Sequence, residues 1–143
     1  MLITPCHSVL IVANAYPSVE RPWKCPFNHR AVKAIEEFCN PSVISIRAWL
    51  PWRLPKSYLY DGVIVRELLV PPIMVTGLPS IPFISTIKQT IIDAFIILLS
   101  KQIKKQAQMV EMIHSISIGY HSFAAQQVAN ELDIPHVVQL IGS

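Results

Sequence analysis

Two histidines, His114 and His121, have the side chains best suited to proton transfer or to hydrogen bonding a substrate hydroxyl near neutral pH. His114 sits near the start of the apolar run Ile113–Ile118. That position suits a hydrogen-bonded core histidine, and equally a residue at the edge of a cleft. Tyr120 and His121 follow the run, where a loop is expected and a ligand could be touched. Asn14, Tyr16 and Pro17 follow an earlier apolar run, Val9–Ala13, and suit either turn formation or substrate contact. His29 and Arg30 open a helical stretch, where a cation beside a helix N-terminus would attract phosphate or simply form a solvated face. Glu36 and Glu37 are adjacent, so they diverge on a helix and read as surface. No D-x-D or C-x-x-C pattern occurs, and no metal site is expected. The three cysteines, Cys6, Cys25 and Cys39, are odd in number and widely spaced, which argues against a disulfide framework and for a reducing, cytoplasmic setting.

The elements that would position these residues follow from periodicity. Val9–Ala13 is continuous and β-branched, as in a strand buried on both faces. Residues 28–39 read as a helix with Ala31, Val32, Ile35, Phe38 and Cys39 on its apolar face, stopped by Asn40-Pro41. Residues 42–48 alternate as a second strand, 49–61 read as a loop ending in the turn signal Asp61-Gly62, and 63–70 form a third strand. A long helix over 84–110 places Ile84, Ile87, Ile91, Phe95, Leu98 and Met109 on its main stripe, with Ile92, Ile96, Leu99, Ile103 and Val110 widening it. A fourth strand over 113–118, a helix over 123–132 capped by Ser122, and a fifth strand over 136–141 complete the chain. Strands alternating with helices imply an α/β, Rossmann-like, doubly wound domain with a mostly parallel five-stranded sheet. Ligands on such sheets bind at the strand carboxyl ends, which singles out the loops after Ala13, Ile118 and Ile141.

Composition narrows the function classes. Apolar residues are 52% of the 143 and charged residues 15%, so a well-filled core and some uncovered apolar surface are expected rather than disorder. The net charge of +3 comes from basic residues scattered along the sequence, apart from Lys101, Lys104 and Lys105, and no nucleic-acid partner is expected. Leu68–Ile87 lacks charge but carries Pro71, Pro72, Gly77, Pro79 and Pro82, which disfavours a spanning helix. The lysines on the long helix, beside apolar flanks, could meet a membrane surface. Trp23, Trp49 and Trp52 fall in loops, where they suit the core edge, an acceptor platform or an interface anchor equally well.

A family resemblance runs along these same segments. The opening V-L-I-V-A-N-A-Y-P, Phe27–Ile35 and Asp61–Arg66 resemble the first strand, first helix and D-G-strand segment of the family 4 glycosyltransferases. Ile113-His114, Phe123-Ala-Ala, Leu132–Val138 and Ile141–Ser143 resemble that family's I-H-x-H, helix, G-I-P-x-V-V and H-G-S-D stretches. Ile116 and Ile141 stand where members carry histidines, and the first loop, Arg21–Phe27, lacks their glycines.

The resemblance implies the N-terminal, acceptor-side domain of a two-domain, retaining GT-B enzyme, with its donor-binding domain absent from these 143 residues. It implies a nucleotide-sugar donor held mostly by that second domain, a sugar or lipid-linked acceptor, and no metal or other cofactor. Asn14, Tyr16, Pro17, Arg30, His114, Tyr120, His121, Gly142 and Ser143 become the substrate-contact candidates, with His121 or His114 the catalytic candidates. The chain alone is not expected to transfer sugar. A non-catalytic binding subunit, pairing with a separate donor-binding chain or docking it to a membrane, is the alternative.

Overall fold

The computed structural model describes residues 7–71 and 85–140. Nine elements follow one another: β1 (His7–Ala13), α1 (Pro26–Glu36), β2 (Cys39–Ala48), β3 (Ser57–Tyr60), β4 (Val63–Val70), α2 (Ser85–Ala107), β5 (Met112–Ile116), α3 (Tyr120–Leu132) and β6 (His136–Gln139). The strands form one six-stranded sheet in the order β3-β4-β2-β1-β5-β6. All neighbours are parallel except β3, which pairs antiparallel with β4. The fold is α/β and Rossmann-like, with one strand more than the sequence suggested.

The extra strand lies in the stretch read as a loop. Tyr60 pairs with Val63, so Asp61 and Gly62 are the two-residue turn of a hairpin. Both have positive φ, 49° and 82°, the conformation that a type I′ turn requires and that Asp-Gly supplies. Tyr58 and Tyr60 alternate with outward residues and pack against the core on one face. Elsewhere the corrections concern boundaries. Helix α1 ends at Glu36, leaving Phe38 exposed and Cys39 as the first residue of β2, beside His7. Pro41 does not stop that strand, because pairing with β4 begins only at Ser42 and no bond on that side needs its missing N–H.

Strand β1 divides the interior in two. Leu10 and Val12 meet Ile44, Ile46, Leu99, Ile103, Ile113, Ala124 and Val128 beneath α2 and α3. Val9, Ile11 and Ala13 meet Val32, Val43, Val63, Val65 and Ile116 on the α1 side. The buried stripe of α2 is Leu99, Ser100, Ile103 and Ala107, with Ile96 packed beside it. The expected main stripe is thereby corrected: Ile87 and Leu98 are exposed, Ile91 and Phe95 are half-buried, and the exposed Met109 lies beyond the helix end. Leu99 and Ile103, expected only to widen the stripe, are buried. Apolar residues occupy nearly every side of this helix between 91 and 99, so periodicity alone could not select the face. Ile84 and residues 72–84 in general lie outside the described residues. Among the described residues no helix is long and apolar enough to cross a membrane.

Two truncations separate the stripes. Ile103→Ala, at 0% exposure, should cost about 2–5 kcal/mol in chemical denaturation. Met109→Ala, at 89% exposure, should shift stability by less than about 0.5 kcal/mol. The reverse ranking would restore the original stripe.

Candidate functional site

The carboxyl ends of β1, β2, β4 and β5 open onto two adjoining clefts. The first, about 350 Å³, lies over β1, β2 and β4 on the hairpin side and is lined by Asn14, Tyr16, Arg21, Arg47, Arg53 and Glu67 among others. The second, about 480 Å³, lies where the sheet order reverses around β1 and is lined by Asn14, Cys25, Val70, Leu99, Gly119 and His121 among others. Asn14, Ala15, Lys24 and Ile46 border both. Such a reversal leaves a crevice because the connections leaving β1 and β5 run to opposite faces of the sheet, to α1 and to α3.

The second cleft is shaped by the turn between β5 and α3. Ser117 adopts φ 72°, a left-handed conformation uncommon for a residue with a Cβ, immediately after the strand. Its N–H remains bonded to the Gln139 carbonyl at 2.9 Å. The expected cap is corrected by one turn: Gly119 occupies the N-cap, and Ser122 is the third helical residue. The Ser122 hydroxyl accepts from the Gly119 N–H at 2.9 Å and donates to the Gly119 carbonyl at 2.8 Å. Gly119 is constrained by its neighbour, since a Cβ there would lie 3.0 Å from His121 Nδ1.

His121 is therefore fixed on the cleft wall. Its Nε2–H donates to the Ile116 carbonyl at 2.7 Å. Burial holds its pKa below the ordinary histidine value, against the opposing pull of the Ile116 and Ser117 carbonyls. A neutral ring donating through Nε2 leaves Nδ1 with its lone pair, able to accept a hydrogen bond from a hydroxyl. Tyr120 and Asn14 lie beside it on the same cleft.

The other candidates are placed differently. His114 borders neither cleft: it sits mid-strand opposite Ile11, with Nε2 against Gln139 Oε1 at 3.1 Å. Burial lowers its pKa too. Tyr16 lines the first cleft, but its hydroxyl donates to His29 Nδ1 at 2.6 Å, and His29 Nε2–H donates to Asp61 Oδ2 at 3.0 Å. Burial raises the Tyr16 pKa far above the ordinary phenol, so the hydroxyl stays protonated within this tie between the β1 loop, α1 and the hairpin turn. Pro17 is buried away from both clefts, with its carbonyl accepting from Tyr58 at 3.1 Å. Arg30 is exposed on α1 and lines neither cleft. Gly142 and Ser143, with Ile141, lie outside the described residues. Ile116 has 0% exposure in the α1-side core, so its side chain points away from cleft chemistry.

Several site residues carry no signal in the sequence. Arg21, Lys24, Arg47, Arg53 and Lys56 all line the first cleft, although they come from three separate segments. The basic residues are scattered along the chain, but five of the 12 gather here in space. Asn28 is fully buried on α1, and its Nδ2 holds the Ala15 carbonyl at 2.7 Å, fixing the loop between Asn14 and Tyr16. Trp23, Trp49, Trp52 and Leu54, all exposed, lie next to lining residues in the same segments, although none lines the cleft itself. Among the described residues no group of three His, Cys, Asp or Glu could hold a metal ion.

No family model matches the chain, and no curated protein matches it. Among solved structures it is similar to the C-terminal domain of a hydrogenase from Pyrococcus furiosus, at a TM-score of 0.51 and 15% identity over 96% of each chain. A second crystal structure of that domain superposes at 0.45 with 11% identity, again over 96% of each chain. The first likeness supports the fold alone.

Two outcomes test this geometry. His114, His121 and His136 all have lowered pKa values, chiefly through burial. The folded chain therefore refuses protons that the unfolded chain accepts below about pH 6.5. Stability should be full above that pH and fall as pH drops through the depressed values, with His121→Gln reducing the loss measured by denaturation. Gly119→Ala should displace the His121 ring, moving its imidazole NMR signals and costing about 1–3 kcal/mol. An unmoved ring would show that the close approach is not a constraint.

Proposed function

We propose that this chain is the acceptor-side domain of a sugar-transferring enzyme of the GT-B type, working with a nucleotide-sugar donor held mainly by a second domain. The observation that carries the reading is His121, a buried neutral imidazole with an accepting Nδ1 on the wall of the crevice at the sheet's reversal point. An acceptor hydroxyl donating to that nitrogen would be oriented for attack, which is the contribution an acceptor domain makes. Asn14 and Tyr120 supply further polar atoms beside it, while Val70, Leu99 and Phe123 suit the apolar face of a sugar ring. The loop after β1 has no glycine between Asn14 and Cys25, a departure from the first loop of the family 4 glycosyltransferases. The resemblance of Asp61–Arg66 and Leu132–Val138 to that family supports the acceptor-domain reading. The membrane and the cytoplasm remain the proposed surroundings, with a lipid-linked acceptor among the proposed substrates.

The purified chain should transfer no sugar from a panel of nucleotide sugars, because the donor's main contacts lie elsewhere. Titration with simple saccharides, followed by NMR, should perturb Asn14 and Ile118–His121 first. His121→Ala should weaken that binding about fivefold, the value of one neutral hydrogen bond near 1 kcal/mol. Turnover by the isolated chain, or saccharide-induced shifts confined to residues away from both clefts, would overturn the proposal.

A further inference from the structure

The first cleft carries a charge excess that hydroxyl recognition does not require. Its lining includes five cations, Arg21, Lys24, Arg47, Arg53 and Lys56, against Glu20 and Glu67. The carboxylates are engaged: Glu67, itself nearly buried, holds Arg47 Nη1 at 2.5 Å, and Glu20 faces Lys56 Nζ at 4.0 Å. Among the described residues, Arg21, Lys24 and Arg53 take part in no ion pair. Arg53 is pinned instead through Nη1 to the Ala48 carbonyl at 2.8 Å, which leaves the rest of its guanidinium free to donate. Arg53 also has its pKa lowered, by burial first and then by the neighbouring charges of Arg47 and Arg21, against the opposing pull of Glu67.

We propose that the cleft between the Ser18–Lys24 loop and the Ala48–Lys56 segment binds a phosphoryl group carried by the acceptor. The proposal rests on reading the adjoining cleft as the acceptor site, and it names the chemical class of that acceptor. The guanidinium groups of Arg21 and Arg53, neither in an ion pair among the described residues, suit phosphoryl oxygens because each presents a planar fork of donors, with Lys24 adding a third cation. A phosphate monoester carries about −1.5 to −2 near neutral pH, which suits the local excess of cations. A cleft of about 350 Å³ fits a phosphorylated sugar or a lipid headgroup rather than the track of a polynucleotide backbone. Asn14 and Lys24, shared by both clefts, place the phosphoryl site beside the His121 hydroxyl site, so one acceptor could occupy both.

Calorimetry reads binding without a donor, and the exposed Trp23 and Trp52, neighbours in sequence of Lys24 and Arg53, add a fluorescence signal. One arm uses inorganic phosphate and glucose 6-phosphate; the other uses phosphatidylcholine vesicles with or without phosphatidic acid. Saturable binding of the soluble probes identifies a free phosphorylated acceptor, and binding only to vesicles with phosphatidic acid identifies a lipid headgroup. In either case the double variant Arg21→Gln/Arg53→Gln should weaken binding at least about tenfold. Arg21→Lys/Arg53→Lys should recover part of it, and Arg30→Gln should change nothing. Circular dichroism of each variant checks that the fold persists. Failure of both arms, or unchanged affinity in the double variant, would overturn the proposal. So would vesicle binding lost through Lys101, Lys104 and Lys105 instead. If phosphate binds as described while saccharides leave Asn14 and His121 unperturbed, the acceptor-domain reading falls and the anion site stands.

Discussion

Burial of β1 on both faces is the constraint on which the rest of the structure depends. Val9 through Ala13 are almost completely shielded, and their alternate side chains supply the centre of each interior cluster. A strand buried this way needs both edges paired, and β2 and β5 pair with it in parallel. Parallel pairing demands crossover connections, so α1 must return the chain on one face and α2 on the other. The crevice follows from that arrangement: the connections leaving β1 and β5 run to opposite faces, to α1 and to α3, and leave the space between the two carboxyl ends unfilled. Asn14 and Ala15 border both clefts because they are the first residues past that strand.

The site is held by a small number of local ties of different kinds. On one side, Asn28 grips the Ala15 carbonyl while Tyr16, His29 and Asp61 connect loop, helix and hairpin turn. The Oδ1 of Asn28 is buried without a partner among the described residues, which makes this tie one with an internal cost. On the other side, the left-handed Ser117, the small Gly119 and the Ile116 carbonyl set the His121 ring. Strain and an unsatisfied polar atom at the strand ends, beside a well-packed sheet, are the pattern expected where a fold positions chemistry rather than maximises stability.

The two clefts differ in what they can recognise. The one beside α3 pairs a neutral acceptor nitrogen with apolar walls, and the one beside the hairpin gathers positive charge. A single ligand spanning them would present a hydroxyl to the first kind of surface and an anion to the second. The hairpin is what makes the second surface concave. Tyr58 and Tyr60 back it, and Lys56 and Glu67 lie at its rim and floor.

The sequence by itself determined the α/β class and the position of the central strand. Those features are local: a β-branched run, a helical period and a turn residue each report on neighbours a few positions away. Asp61-Gly62 announced a turn but not the hairpin, because the four-residue strand before it was too short for alternation to outweigh the prolines around it. His121 was legible as a histidine near the strand ends, although it was expected in a loop and lies buried in the first turn of α3, because the helix starts at Tyr120 rather than Phe123. Only the tertiary structure showed that its Nε2 is already used by the Ile116 carbonyl. The face of α2 was decided by the sheet, because a helix apolar on nearly every side offers no preferred stripe of its own. The cationic cleft was likewise invisible along the chain. Arg21, Arg47 and Arg53 belong to a loop, a strand end and a second loop, and only the pairing of β1, β2 and β4 brings those segments together.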